Sequence, residues 1–161
     1  MRQSADPQEN ATGAWKIIRL RELPLGQIQT LIEESQEDGF GFLQRLRDEW
    51  ECGVNRFESN GEALFACFSG LVLVGVGGIN RQTPVCGRLR RFYVRREWRR
   101  KGIGRALVGR ILAFAALHYA EVVLHTESAS ADAFYRALGF SRVPDSNNPT
   151  HRIPIAHRSA C

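Results

Sequence analysis

Val94-Arg95-Arg96-Glu97-Trp98-Arg99-Arg100-Lys101-Gly102-Ile103-Gly104-Arg105-Ala106-Leu107 is the stretch on which the fold turns. It closes an apolar strand pattern, Leu89 to Val94, passes through a basic run, and sets two glycines at the start of a long amphipathic pattern. In that pattern Ile103, Leu107, Ile111, Phe114 and His118 recur at intervals of three and four. The reading is a strand, a tight turn and a helix from Gly102 to Tyr119. The first N–H groups of such a helix have no partners within it, and its dipole adds partial positive charge there, so the turn suits an anion. Gly102 and Gly104 leave room for a phosphate to approach the backbone. Arg99, Arg100, Lys101 and Arg105 add charge, and arginine can grip phosphate with two parallel bonds. The segment is not a P-loop, because G-x-x-x-x-G-K-[ST] is absent, and no glycine follows Gly104 at the spacing of a dinucleotide fingerprint. By itself, a G-x-G at a helix start is equally compatible with a plain strand–helix connection under a solvated basic surface.

The charge distribution narrows the choice. The chain of 161 residues carries a formal net charge of +5, with 22 basic and 17 acidic residues. Residues 88–110 hold ten of the basic residues and a single acid, Glu97, so the remainder of the chain is net acidic. A local excess of this kind points to a polyanionic ligand at one place, either nucleic acid or a phosphate-rich cofactor. The length is that of one domain. No apolar run approaches a membrane span, and the polar start of the chain is not a secretory signal. The cysteines at 52, 67, 86 and 161 fit neither a C-x-x-C site nor a small disulfide framework, which predicts reduced thiols and a cytoplasmic protein. The four histidines form no ligand pair, so no metal site is expected.

Working outward, residues 1–13 read as a disordered leader and 14–161 as the domain. Trp15 to Leu20 is a strand candidate. Pro24 opens a helix with Leu25, Ile28, Leu31 and Ile32 on one stripe, and a second helix carries Leu43, Leu46, Trp50 and Val54. Ala63 to Phe68 and Leu71 to Ile79 form a hairpin about Ser69-Gly70. Glycines 75, 77 and 78 in its second arm suggest a bulge or a close backbone approach. Thr83 to Gly87 reads as a loop. After the Gly102 helix come a strand, Glu121 to Thr126, and a helix capped by Ser130 and stopped at Gly139. Phe140 to Val143 and His151 to Ile155 are short final strands. The order predicts an α/β domain with a mixed sheet of about six to seven strands flanked by four helices, its strands locally parallel around the Gly102 helix.

Two segments together resemble one family. Arg99-Arg100-Lys101-Gly102-Ile103-Gly104 looks like the R/Q-x-x-G-x-G/A signature of the GNAT N-acetyltransferase superfamily, and Ala131-Asp132-Ala133-Phe134-Tyr135-Arg136-Ala137-Leu138-Gly139-Phe140 looks like its A-x-x-F/L-Y-x-x-x-G-F segment. The resemblance implies a GNAT-like fold and transfer of an acetyl group from acetyl-CoA to a primary amine in a ternary complex. Backbone N–H groups from Arg99 through Arg105 would cradle the pyrophosphate. The backbone of Phe92, Tyr93 and Val94 would pair with the pantetheine arm beside a splayed strand, Ser128 would touch the cysteamine end, and Tyr135 would protonate the departing thiolate. Three positions depart from the family pattern, which often has proline at 96, glycine at 100 and asparagine at 128, where this chain has Arg96, Arg100 and Ser128.

Many family members carry a glutamate base on the central strand, but Leu89 to Val94 contains no acid. Glu127, Glu33, Glu34 and His125 are the alternatives for proton uptake, and His151 is a candidate at the acceptor edge. The acceptor would be a small-molecule or peptide amine. A homodimer through exposed edge strands is compatible with the sequence. Two other readings compete: a non-catalytic acyl-CoA-binding protein, and a nucleic-acid-binding module built on the 88–110 cluster, against which stand the acidic remainder and the lack of a binding signature.

Overall fold

The computed structural model describes residues 15–155; the leader expected over 1–13 lies outside the described residues. The order of elements is β1 (Lys16–Leu20), α1 (Leu25–Glu37), α2 (Phe42–Cys52), β2 (Ala63–Ser69), β3 (Val72–Thr83), β4 (Cys86–Val94), a single 3-10 turn (Arg96–Trp98), α3 (Ile103–Ala115), β5 (Glu121–Leu124), α4 (Ala129–Ala137), β6 (Ser141–Arg142) and β7 (His151–Pro154). The strands form one mixed seven-stranded sheet in the order β1-β2-β3-β4-β5-β7-β6. Only β4 and β5 pair in parallel, as the intervening helix requires.

Both faces of the sheet are covered, which is why β2 reads as an unbroken apolar run. Ala63, Phe65 and Cys67 face one side, with Ile103, Leu107 and Ile111 of α3. Leu64 and Ala66 face the other, with Ile28, Leu31 and Ile32 of α1 and Leu43 and Leu46 of α2. Side chains as fully buried as Leu107 and Ile111 contribute about 1.5–3 kcal/mol each. The glycines of β3 serve both purposes anticipated for them. The ladder shifts register at Cys67/Phe68 and again opposite Gly77. A Cβ on Gly77 would lie 3.1 Å from Ile111 Cδ1 of α3 and 3.0 Å from the Phe92 ring, so the missing side chain is what lets the helix pack close.

Several boundaries differ from expectation: β5 stops at Leu124 rather than Thr126, β6 covers only Ser141–Arg142, and α2 ends at Cys52, short of Val54. The loop expected over Thr83 to Gly87 is a tight hairpin, because pairing continues through polar residues: Asn80 opposes Arg88, and Thr83 opposes Cys86. Helix α3 ends at Ala115 rather than Tyr119. The chain turns there, with the His118 N–H on the Ala115 carbonyl, and this lets Tyr119 bury its ring and donate its hydroxyl to the Gly61 carbonyl at 2.6 Å. Finally, α4 is capped by Ser128, not Ser130. Ser128 is extended and its Oγ accepts from the Ala131 N–H at 3.3 Å, satisfying one of the unpaired donors of the first turn.

Gly87 belongs to the short stretch of β4 that pairs with β5, and a Cβ there would meet Tyr119 Cδ2 at 2.6 Å and Ile79 Cδ1 at 2.7 Å. Gly87→Ala is expected to cost ~1–3 kcal/mol through overpacking, lowering the midpoint of thermal unfolding by at least ~2 °C.

Candidate active site

The sheet splits where β4 and β5 part. Pairing between them covers only Cys86, Gly87 and Arg88 against Glu121, Val122 and Val123. Beyond that point Leu124 pairs with His151 of β7, while Leu89 to Val94 continue with β3 alone. The backbone of Phe92, Tyr93 and Val94 therefore has no strand on its β5 side. A bulge turns this end of β4: Arg91 and Phe92 together oppose Gly77, and Arg91 sits at φ 59°. Such a bulge sharpens the local twist and widens the slit. The sequence placed the irregularity on the β3 glycines; the left-handed residue is Arg91, which nothing in the residue type announces.

At the end of β4 the chain makes the basic turn. The Arg95 N–H still reaches the Val74 carbonyl at 2.9 Å, and those of Trp98 and Arg99 donate back to Arg95 and Arg96. The N–H of Arg99, expected to face the ligand, is therefore spent within the 3-10 turn. The first helical bond is Ala106 N–H to the Gly102 carbonyl at 3.0 Å. Between them, the N–H groups from Arg100 through Arg105 meet no acceptor among the described residues. Arg100 at φ 61° and Gly102 at φ 86° curve this run into a concave surface of donors, an anion-binding form of backbone. A Cβ on Gly102 would meet nothing within 4 Å, so the backbone angle is what calls for glycine there. At Gly104 the demand is packing, since a Cβ would lie 3.2 Å from Phe134 Cζ and 3.5 Å from Phe92 Cζ. Ile103 points into the core, and its contribution to the turn is its backbone.

Carboxylates of α1 hold this turn in place. The Tyr93 hydroxyl lies 2.8 Å from both Glu34 Oε2 and Asp38 Oδ2. A phenol has one proton to give, and arginines supply the remaining compensation: Arg95 pairs with Glu34, and Arg96 and Arg99 pair with Asp38. Glu34 Oε2 also accepts from the Arg96 N–H at 3.1 Å. That bond gives the departure from proline at 96 a physical sense, because proline has no N–H to offer. Arg99 is further fixed by donating Nε–H to the Val94 carbonyl at 2.9 Å and by stacking over Tyr93. Lys101 lies over Trp98. The side chains of Arg100 and Arg105 are exposed.

An aromatic wall lines the α3/α4 side of the slit. Phe92 stacks on Phe134 with centroids 5.7 Å apart and meets Tyr135 edge-on at 6.0 Å. Tyr135 is 6% exposed, burial pushes its phenol up from the ordinary value, and its hydroxyl has no hydrogen-bond partner among the described residues. Ser128 caps the helix bearing Tyr135, and its Oγ lies 2.9 Å from that of Ser130. His151, read in the sequence as an acceptor-edge candidate, is fully buried on β7. Its Nε2 lies 2.7 Å from Asp132 Oδ1 and its Nδ1 2.7 Å from Thr150 Oγ1, so it ties α4 to β7 behind Tyr135. The alternation of β7 turns the ring inward.

The groups named for proton uptake scatter. Glu34 is committed to the turn, and Glu33 is exposed on α1 beside Gln29. His125 follows directly on β5, where the slit opens, with Nε2 3.8 Å from Glu127. Sequence reading missed Glu49, which accepts from Arg91 Nη2 with both carboxylate oxygens at 3.3 Å; nothing in the pattern of α2 distinguishes it from its neighbours.

The fold as a whole is shared with known proteins. The model of the acetyltransferase (GNAT) domain matches residues 31–156. This chain belongs to the GNAT family. A crystal structure from Exiguobacterium sp. 255-15, assigned as an acetyltransferase, is 30% identical, with 87% of this chain and 93% of that one covered at a TM-score of 0.78. An acetyltransferase from Streptococcus agalactiae 2603 is 19% identical over 88% of this chain and 99% of its own, with a TM-score of 0.75. The ribosomal-protein-S18-alanine N-acetyltransferase of Escherichia coli is 15% identical over 90% and 96%, with a TM-score of 0.65; these last two likenesses are of fold. No curated protein sequence matches. As a GNAT protein the chain is an acetyltransferase in general terms.

The clamp has a pH signature. Burial pushes the Asp38 carboxyl up, but the Tyr93 hydroxyl and the Arg99 and Arg96 guanidiniums together hold it below its ordinary value. A group so lowered adds stability above its unfolded pKa of about 3.9 and loses it as pH falls. Tyr93→Phe is expected to cost ~1.5–3 kcal/mol near neutrality. Its urea midpoint should also fall less than that of the unsubstituted protein between about pH 5 and about pH 2.

Proposed function

We propose that this GNAT protein is an N-acetyltransferase that takes acetyl-CoA as its acyl donor and moves the acetyl group to a primary amine in a ternary complex. The observation that carries the reading is the run of unpaired backbone N–H groups from Arg100 through Arg105 at the head of α3, set at the end of the slit between β4 and β5. Those donors, with Arg100 and Arg105 beside them, suit a pyrophosphate. The Arg99 and Lys101 side chains act by shaping the turn. The free edge of Phe92, Tyr93 and Val94 offers alternating donors and acceptors to an amide-bearing arm laid along the strand, and one of its N–H groups can stabilise charge developing on a thioester oxygen. Ser128 can donate its hydroxyl proton while its lone pair caps α4.

Acetyl transfer forms a C–N bond and breaks a C–S bond, so the leaving sulfur needs a proton. Tyr135 is suited to hold it. Its raised pKa keeps it protonated at any working pH. In the same water-poor wall a thiolate is also desolvated, which raises its own demand for the proton. The hydroxyl has no competing acceptor among the described residues.

Gly102→Asp should abolish the thermal stabilisation given by acetyl-CoA, since it sets a carboxylate where the turn presents donors and strains the φ 86° backbone; undiminished stabilisation would sink the phosphate assignment. In the unsubstituted protein, acetyl-CoA at about 100 times its dissociation constant should add ~2.7 kcal/mol, with ATP and a short oligonucleotide at equal salt giving less. Tyr135→Phe should lower kcat by ~10²-fold or more at nearly unchanged acetyl-CoA affinity, measured by thiol release and calorimetry; an equal kcat would remove Tyr135 as the acid.

A further inference from the structure

The face of the slit opposite the aromatic wall is lined by arginine. In β4, Leu89 and Phe92 face α3, so Arg88 and Arg90, on either side of Leu89, face the α1/α2 side. Arg91 faces that side too, since its guanidinium reaches Glu49 of α2. Arg152 belongs to the same face: Arg88 opposes Val123, and Val123 opposes Arg152. Arg45 stands one helical turn before Glu49. The strand on which many relatives carry a glutamate carries three cations here.

Of these cations, Arg91 alone has a carboxylate partner among the described residues. Among the described residues, Arg45 and Arg90 form no ion pair, and Arg88 donates only to the neutral Asn148 of the β6–β7 loop. Arg91 is 7% exposed, shares the single carboxylate of Glu49, and leaves its Nε–H without an acceptor. Burial first, and then the charge of Arg90, lower the proton affinity of both Arg88 and Arg91. Half-buried like charges and an unsatisfied buried donor cost free energy unless an anion joins them. The aromatic wall fills the other face of the slit, while Arg88 and Arg90 stay partly exposed on this one, where a second substrate can meet them.

We infer that the amine acceptor carries a carboxylate close to its amino group, bound by Arg90 and Arg91 with Arg88 beside them, so that the substrate class is amino acids and acidic peptides rather than polyamines or basic peptides. This rests on the acetyl-transfer reading above. Guanidinium pairs with carboxylate in the two-bond geometry that amides and ammonium groups cannot supply, and a polycation would meet like charge. The carboxylate places the amine by its fixed distance from Cα.

The test measures thiol release from acetyl-CoA with the free amino acids, their α-amides, spermidine, and the peptide pair Ala-Glu-amide and Ala-Gln-amide. The best amino acid should exceed its own amide in kcat/KM by at least about tenfold, the equivalent of ~1.4 kcal/mol from one charge-assisted bond. If the carboxylate comes instead from a peptide side chain, the preference shows between the two peptides. Arg90→Gln and Arg88→Gln, neither buried as Arg91 is, should bring that ratio toward one through KM. Spermidine or the amides turning over as fast as the acids, or ratios unmoved in both variants, would overturn the inference and leave acetyl transfer standing. Tight acetyl-CoA binding without thiol release to any acceptor would overturn acetyl transfer, and the inference with it.

Discussion

Three residues of parallel pairing, Cys86 to Arg88 against Glu121 to Val123, join the two halves of the sheet. Everything placed at the site follows from how short that seam is. Were it extended, the β4 edge would be consumed by β5 and no slit would exist. What keeps it short is the Arg91 bulge, which turns β4, and the end of β5 at Leu124. The seam itself is tightly built, with Gly87 pressed against Tyr119 and Ile79. A weak seam would let the halves drift, and a long one would close them.

The turn after β4 depends on a second constraint. Backbone donors left without acceptors are costly wherever water is excluded, and a run from Arg100 through Arg105 survives because it is presented at the surface. Its curvature must still be held against solvent competition. The α1 carboxylates do this from the side away from the donors, through Tyr93, Arg95, Arg96 and Arg99. Much of the local positive charge is therefore structural. It is neutralised by Glu34, Glu37 and Asp38 and serves to shape the backbone, while the donors carry the anion chemistry. The arginines further back on β4 are the ones that α1 leaves unpaired.

Tyr135 shows how secondary packing prepares a reactive group. Phe92, Phe134 and Phe140 surround its ring, and the Asp132–His151 contact pins the helix that carries it to β7. A buried phenol with a raised pKa stays protonated, and a hydroxyl without a partner stays available. Neither property belongs to tyrosine as such; both come from what is packed around it.

The sequence by itself determined the element order, the placement of the basic turn at a helix start, and the family, because these rest on local chemistry: hydrophobic period, glycine and capping preferences, and two motifs at fixed offsets. Helix α3 and the hairpin of β2 and β3 were legible from those signals alone. What only the tertiary structure decided were relations between distant segments. Glu34 looked like a candidate base until α1 was seen against Arg96, and His151 like an acceptor-edge group until its ring was seen buried against Asp132 of α4. Arg91 took a left-handed angle that no propensity assigns it. The facing of Arg88, Arg90 and Arg91 against a lone Glu49 depended on the register of a bulged strand. Side-chain direction in a strand reverses with each residue and shifts at every bulge, so the face on which a charge falls is fixed by pairing and not by composition.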